Sequence, residues 1–395
     1  MATVANSDVF KRSRMKQAGK PSAEDWASKR SAHFNCKSQS LSPWILKQAA
    51  GFLKIPGIIS RGGGLPISEH FPYSEILMRS PQMMRFITEH VKLVSNPTYA
   101  KWQACQTLGS AGALEQAVLM RCDRNRGNCV LTEGYTFASA LETMAPKVIE
   151  VVSVKTDDQG ILPDDTHDVL TDWDVSVQGS RKPHGLYTIP SAQIPTGAIQ
   201  GIERRRVIYA VCRKHNIFIL EDEPPESLGS YLAGVVASFL SLDIDGRVLR
   251  VDSFSNVLVP RSRMGWITAS NQVSQCYLPH VEFANPRSGE SAQIILWKLL
   301  DDTWGYGERN MLFATCEELL PEELLWLKVY NTRHSKHLHR SLLEREEEIF
   351  QSALQRGALR TSGSWFCAES HTPPRKLFLH TTFVSATEDS MKSAF

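Results

Sequence analysis

With 395 residues, a mass of 44.3 kDa and 42% hydrophobic residues, the chain can bury a large core and is expected to fold as one big domain plus a smaller one. Lys and Arg total 44 against 42 Asp and Glu, and a net charge of +2 sets up no long-range field for nucleic acid or an anionic membrane, so a small-molecule partner fits better. The eight cysteines, at 36, 105, 122, 129, 212, 276, 316 and 367, form no C-x-x-C pair and no zinc-type spacing, which points to a reducing cytosol and no metal centre.

In chain order, the residues up to about Ser40 are polar and aperiodic and read as an arm, mobile or laid on a neighbour. The stretch from Ser7 to Lys20 has no apolar core of a signal peptide. The longest apolar run, Tyr231 to Leu242, is too short to span a bilayer, so a cytoplasmic protein is expected. From Leu108 onward, short β-rich runs alternate with helical spacing. Strands are predicted at Cys129 to Thr132, Val148 to Val154, Gly185 to Ile189, Phe218 to Leu220, Val248 to Ser253 and Trp266 to Ala269. Helices are predicted at Ala113 to Cys122, Phe137 to Met144, Ile202 to His215 and Ser291 to Asp302. Such alternation argues for an α/β fold, a mostly parallel sheet with helices on both faces, and places a ligand beyond the carboxyl ends of the strands. Glu322 to Phe350 reads as a long charged helix. Its His334, His337 and His339 lack a carboxylate partner for a metal, and the plainer reading is a solvated helix leading to a last strand at Leu377 to Val384. The expected division is an arm over 1–57, a large domain over 58–305, and a linking helix with a reduced small domain over 306–395.

Three segments concentrate chemistry, one at a helix start and two at predicted strand ends. Leu108-Gly109-Ser110-Ala111-Gly112-Ala113-Leu114 opens a helix, where free backbone N–H groups can take a phosphate, although Gly-Ser is also an ordinary helix entry. Glu221-Asp222-Glu223-Pro224 closes an apolar strand; an acid there can keep a ring nitrogen protonated, or can be a solvated turn. Ser253-Phe254-Ser255-Asn256, followed by Arg261, Ser262 and Arg263, sets hydroxyls and guanidinium groups after another strand, a combination suited to gripping phosphate.

From about Ile58 to Leu300, and again near the C-terminus, the sequence resembles the fungal aromatic amino acid and aminoadipate aminotransferases, members of the fold-type I pyridoxal-phosphate enzymes. The resemblance is carried by Gly62-Gly63-Gly64-Leu65-Pro66, Asn96-Pro97-Thr98-Tyr99, Gly109-Ser110 to Glu115, Thr132-Glu133-Gly134-Tyr135-Thr136-Phe137, Pro195-Thr196-Gly197, Asp222-Glu223-Pro224, Asp252-Ser253-Phe254-Ser255 and Arg263-Met264-Gly265-Trp266. It implies a large sandwiched sheet with a reduced C-terminal α+β domain, and a homodimer with its site at the interface. It also implies that Ser110, Ala111, Ser253, Ser255 and Arg263 line a phosphate cup, that Tyr135 stacks on the pyridine ring, and that Asp222 faces the ring nitrogen.

Several positions depart from the pattern. Asn256 stands where the family has its Schiff-base lysine, and an amide is neither a nucleophile nor a base near neutral pH. Ile194 replaces the asparagine before Pro-Thr-Gly, Pro225 replaces a tyrosine, and Arg261 replaces a small glycine. His380 stands where a substrate-carboxylate arginine precedes Thr381-Thr382-Phe383, and it grips an anion only when protonated. Family segments before Ser80-Pro81-Gln82 and near Glu348 look deleted. The expectation is an enzyme of lyase, isomerase or cyclase type in secondary metabolite biosynthesis, with no covalently held cofactor and with Asn256, Arg261, His380 and Asp222 as the catalytic set. One alternative is an enzyme that binds pyridoxal or pyridoxamine phosphate non-covalently and acts on an aromatic amino or 2-oxo acid. Another is a non-catalytic paralogue serving as a binding or regulatory subunit.

Overall fold

The computed structural model describes residues 52, 55, 59–60, 102–122, 127, 129–191, 193–223, 237–254, 263–284, 289–298, 342–355, 358–359, 361–368 and 379–380. The chain divides into two compact units, Met1–Ser42 and Pro43–Phe395, and all of these residues belong to the second. The arm apart from Phe52 and Ile55, the histidines at 334, 337 and 339, and the glycine-rich Gly62 to Pro66 lie outside the described residues.

Seven strands form the central sheet: β1 (Trp102–Thr107), β2 (Cys129–Glu133), β3 (Glu150–Val154), β4 (Gly185–Thr188), β5 (Phe218–Asp222), β6 (Val248–Ser253) and β7 (Gly265–Ser270). Their spatial order is β1-β7-β6-β5-β4-β2-β3. All neighbours are parallel except β7, which runs antiparallel to both β1 and β6. The helices are α1 (Gly109–Arg121), α2 (Ala138–Met144), α3 (Pro163–Thr171), α4 (Ile202–Lys214), α5 (Asn271–Ala284), α6 (Glu290–Lys298) and α7 (Leu342–Gln355), with one-turn helices at Val175–Gln178 and Phe239–Leu242. No described helix is long and apolar enough to cross a membrane.

Pleating explains why the strands read as continuous apolar runs. Tyr187, Leu220 and Leu249 point to one face and pack with Leu114, Val118, Val273 and Tyr277 of α1 and α5. Their sequence neighbours Leu186, Ile219 and Val248 point to the other, against Leu170 of α3 and Ile208 and Cys212 of α4. Burial on both sides removes the polar alternation that a half-exposed sheet shows.

Every predicted strand and helix with described residues is present; Val248–Ser253 keeps its predicted bounds and most others have shifted ends. β3 begins at Glu150 rather than Val148, because Val148 adopts a left-handed φ of 53° after the single turn Ala145–Lys147. α1 begins at Gly109, four residues before its predicted start, since the Gly-Ser-Ala-Gly run is itself helical. Three of the longer elements were not predicted. β1 carries Gln103 and Gln106 and lacks a clean period. α3 opens on Pro163-Asp164-Asp165, residues that suit a first turn but dilute the apolar stripe. α5 contains Pro279, which reads locally as a breaker.

The small C-terminal elements are brief. Ile59–Ser60 pairs with Ala358–Leu359, and Thr361–Ser362 pairs with Leu379–His380, the described part of the predicted last strand. Phe350 of α7 meets Phe52 and Trp365 edge-on, at centroid distances of 5.8 and 5.7 Å. The adjoining segment continues to the turn after β2, where Tyr135 bridges Cys367 and Thr136 N–H donates to the Phe366 carbonyl at 2.8 Å.

Candidate active site

The carboxyl end of β6 and the start of β7 meet the start of α1. Gly109 has a φ of +77°, and a Cβ on Gly265 would stand 2.9 Å from the Gly109 Cα and 2.7 Å from the Asp252 carbonyl oxygen. Only glycine at 265 lets β7 pass this closely beneath the helix start. Leu108, the N-cap, supplies no side-chain acceptor, so the first N–H groups of α1, including those of half-buried Ser110 and Ala111, keep their capacity to bind an anion.

Asp222 and Ser253 end their strands on the face that α1 covers, as the parity with Leu220 and Val251 requires. Asp222 is buried and accepts a hydrogen bond from the Tyr187 hydroxyl at 2.7 Å. Tyr187 pairs with Leu220, so it reaches Asp222 across the diagonal of two parallel strands. Burial pushes the Asp222 carboxyl up to about 6; the Tyr187 hydrogen bond opposes this, while Glu223 and Asp252 add to it. Burial first, then Asp222 itself, holds the Tyr187 phenol well above its ordinary value, so it remains a donor.

Tyr135 is half-buried at the turn after β2, its carbonyl accepting from Gln193 Nε2. Gln193 Oε1 in turn accepts from the Thr196 N–H at 2.9 Å and the Thr196 hydroxyl at 2.6 Å. One amide thus ties the Tyr135 turn to the loop that carries Ile194, where the peptide before Pro195 is cis. Ile194 packs against the apolar cluster of α1 and α5, so it brings a hydrocarbon wall and no donor to this rim. Arg263 is exposed, with a left-handed φ of 53° as the chain turns into β7. Ser255, Asn256, Arg261 and Pro225 lie outside the described residues. His380 is placed only by its backbone, opposite Thr361.

The sheet's other face holds charges that the sequence reading did not use. Glu133 is fully buried, accepting from Thr188 Oγ1 at 2.6 Å, the Ile189 N–H at 3.3 Å and Thr132 Oγ1 at 3.2 Å. Burial pushes its carboxyl up to about 7 against those hydrogen bonds. Arg205 of α4 reaches Glu223 at 3.5 Å and Glu221 at 3.9 Å, and Arg250 grips Asp252 with contacts of 2.7 to 3.1 Å. Charged residues inside otherwise apolar strands were the available signal for this layer. Tyr187 could have been found from its phase with Asp222.

Glu133 has a testable sign. In the folded chain it binds a proton at pH values where the unfolded chain, near 4.5, has lost it, so its contribution is complete below 4.5 and declines as pH rises to about 7. Glu133→Gln keeps the shape and the acceptor toward Thr188. It is expected to be near neutral at pH 5 and stabilising by up to about 3 kcal/mol at pH 8. Urea unfolding of both proteins at the two pH values checks this, and an unchanged difference between them would overturn it.

The sequence and the fold have counterparts among known proteins. Residues 82–308 match the family model for aminotransferase class I and II. An aromatic amino acid aminotransferase of Schizosaccharomyces pombe is 31% identical, over 85% of this chain and 79% of its own length. The chain belongs to the class I and II aminotransferases. The aminotransferase swnA of Arthroderma benhamiae is 33% identical over 78% of this chain and 71% of its own. Among solved structures, the aromatic aminotransferase Aro9 from C. albicans superposes with a TM-score of 0.69 at 22% identity, covering 82% of this chain and 77% of that one, which supports the fold alone.

The residues of this aminotransferase-family chain fit pyridoxal phosphate, the cofactor of the class. The buried Asp222 carboxyl would face a protonated ring nitrogen, and the start of α1, which has no side-chain cap, would take a phosphate together with Ser110 and Ser253.

Proposed function

We propose that this family member holds pyridoxal or pyridoxamine phosphate without a covalent bond. In this reading it catalyses a reaction other than ordinary transamination, of cyclising, isomerising or dehydrating type, on an aromatic amino or 2-oxo acid in secondary metabolism. The observation that carries it is a contrast: the Asp222–Tyr187 pair is intact and buried at the strand end, while residue 256, three beyond Ser253, is an asparagine. The aromatic preference is taken from the names of the relatives.

When bound, the cofactor supplies an electron-withdrawing ring. The chain's own residues do the rest. Asp222 keeps the ring nitrogen protonated, and Tyr187 fixes the carboxylate's direction by donating to it. The α1 N–H groups with Ser110 and Ser253 hold the phosphate, and Tyr135 covers the ring. Asn256 offers amide hydrogen bonds in place of an amine, and His380 is assigned the movement of protons at the substrate.

Desalted protein incubated with pyridoxal phosphate is expected to retain the chromophore. Denaturation should release it with no mass added to the chain, even after borohydride, and Asp222→Ala should abolish retention. Failure to retain any chromophore, or a borohydride-stable adduct on the wild-type chain, would overturn the proposal.

A further inference from the structure

At the amino-terminal ends of β4 and β5, the sheet edge opposite the candidate site, four basic side chains form a string. His167 Nδ1 on α3 lies 2.8 Å from Nε2 of His215, the residue that caps α4. Lys214 Nζ stands 3.3 Å from His167 Nε2, and Lys182 Nζ stands 3.3 Å from His215 Nδ1. Both lysines are exposed and both histidines are partly buried, so the string is open to solvent along its length.

Counting hydrogens shows what it lacks. Each ammonium group only donates, so the two lysines together require the outer nitrogen of each imidazole as an acceptor. A neutral imidazole with an accepting outer nitrogen carries its hydrogen on the inner one, and the two inner nitrogens face each other at 2.8 Å. Two N–H groups then point at one another, and protonating either ring adds a further donor. The string therefore holds more donors than acceptors whenever both lysines are charged.

Among the described residues no carboxylate pairs with any of the four. Arg213, one residue before Lys214, is engaged with Asp245 at 3.4 Å, while Asp168 and Asp172 on the α3 side make no ion pair with the string. The mutual repulsion is visible at His215, whose pKa is lowered by burial first, then by Lys182, His167 and Lys214. The carboxyl end of α4 opposes an anion here only weakly, since a helix dipole amounts to about half a charge.

We infer that Lys182, His215, His167 and Lys214 form a second binding site, separate from the cofactor site, for a phosphate-type oxyanion, either free phosphate or the phosphomonoester of a small molecule. Oxygen lone pairs accept from both ammonium groups and from an imidazole N–H, which supplies the missing acceptors and the missing negative charge.

The test is NMR of the histidine ring resonances in the full chain, at fixed pH and at ionic strength held constant with sodium chloride, titrated with inorganic phosphate and separately with glycerol 2-phosphate. Single His167→Gln and His215→Gln variants assign the two signals. Saturable shifts of both signals with inorganic phosphate support a free-phosphate site, and shifts with glycerol 2-phosphate alone support an ester site. In either case Lys182→Gln combined with Lys214→Gln, both exposed changes, should raise half-saturation at least about tenfold. No shift with either probe, an equal shift with chloride alone, or an undiminished response in the double variant overturns the inference.

Discussion

Asn256→Lys is expected to convert a protein that releases pyridoxal phosphate on denaturation into one that carries a borohydride-stable adduct on residue 256. Residue 256 lies three positions past Ser253, which ends β6 on the same face as Asp222, and a lysine amine is a nucleophile toward an aldehyde where an amide is not. Covalent capture is a local event that needs only this nitrogen. Transamination needs more, because protons must also move at the substrate and its carboxylate must be held. Ile194 packs into the apolar cluster and offers no donor to the ring's oxygen, and His380 stands where the family resemblance implies a carboxylate-binding arginine. The single variant is therefore expected to transaminate aromatic amino acids at least about 100-fold more slowly than a triple variant that adds Ile194→Asn and His380→Arg, the scale that one well-placed catalytic group contributes. Peptide mapping after reduction reads the first outcome and steady-state kinetics the second. Full transaminase activity from the single substitution would sink the proposal that this pocket serves another reaction.

The parts of this fold that sequence made visible are those whose physics is local. Apolar runs such as Cys129 to Thr132 and Phe218 to Leu220 announce strands of the sheet core, and Gly109-Ser110 announces a helix entry, because each needs only its own few residues. Asp222 was found the same way, as an acid closing an apolar strand. What sequence left hidden depends on partners far along the chain. Tyr187 matters because parallel pairing of β4 and β5 sets it diagonal to Asp222, and Gln193 because folding brings the Tyr135 carbonyl to its amide. The basic string joins α3, α4 and the loop before β4, and no spacing of 167, 182, 214 and 215 predicts it. α5 stayed hidden for a different reason: Pro279 breaks the local rule, and packing of Val273, Tyr277 and Val281 on the sheet overrides it.

Arg205→Met should be the most destabilising of the changes considered, lowering unfolding free energy by about 3–5 kcal/mol. The guanidinium is fully buried and works on several elements at once. Its Nε donates to the Gln200 carbonyl at 2.8 Å, and its Nη2 donates to Ser191 Oγ at 2.7 Å and the Pro190 carbonyl at 3.1 Å. Its Nη1 faces Glu223 and Glu221. Methionine fills much of the volume but strands two carboxylates in a low-dielectric layer directly behind Asp222, where burial already holds Glu221 above the usual carboxylate range. The loss is thus mainly the cost of the charges left behind rather than the worth of the bonds removed. That distinction is measurable, because Glu221→Gln and Glu223→Gln in the Arg205→Met background should recover more than half of the deficit, whereas the same two changes in the wild-type chain should destabilise it. Urea denaturation of the four proteins gives the comparison. If Arg205→Met costs under about 1 kcal/mol, or if the glutamine changes add to its loss, the buried cluster is not what holds α4 to the ends of β4 and β5.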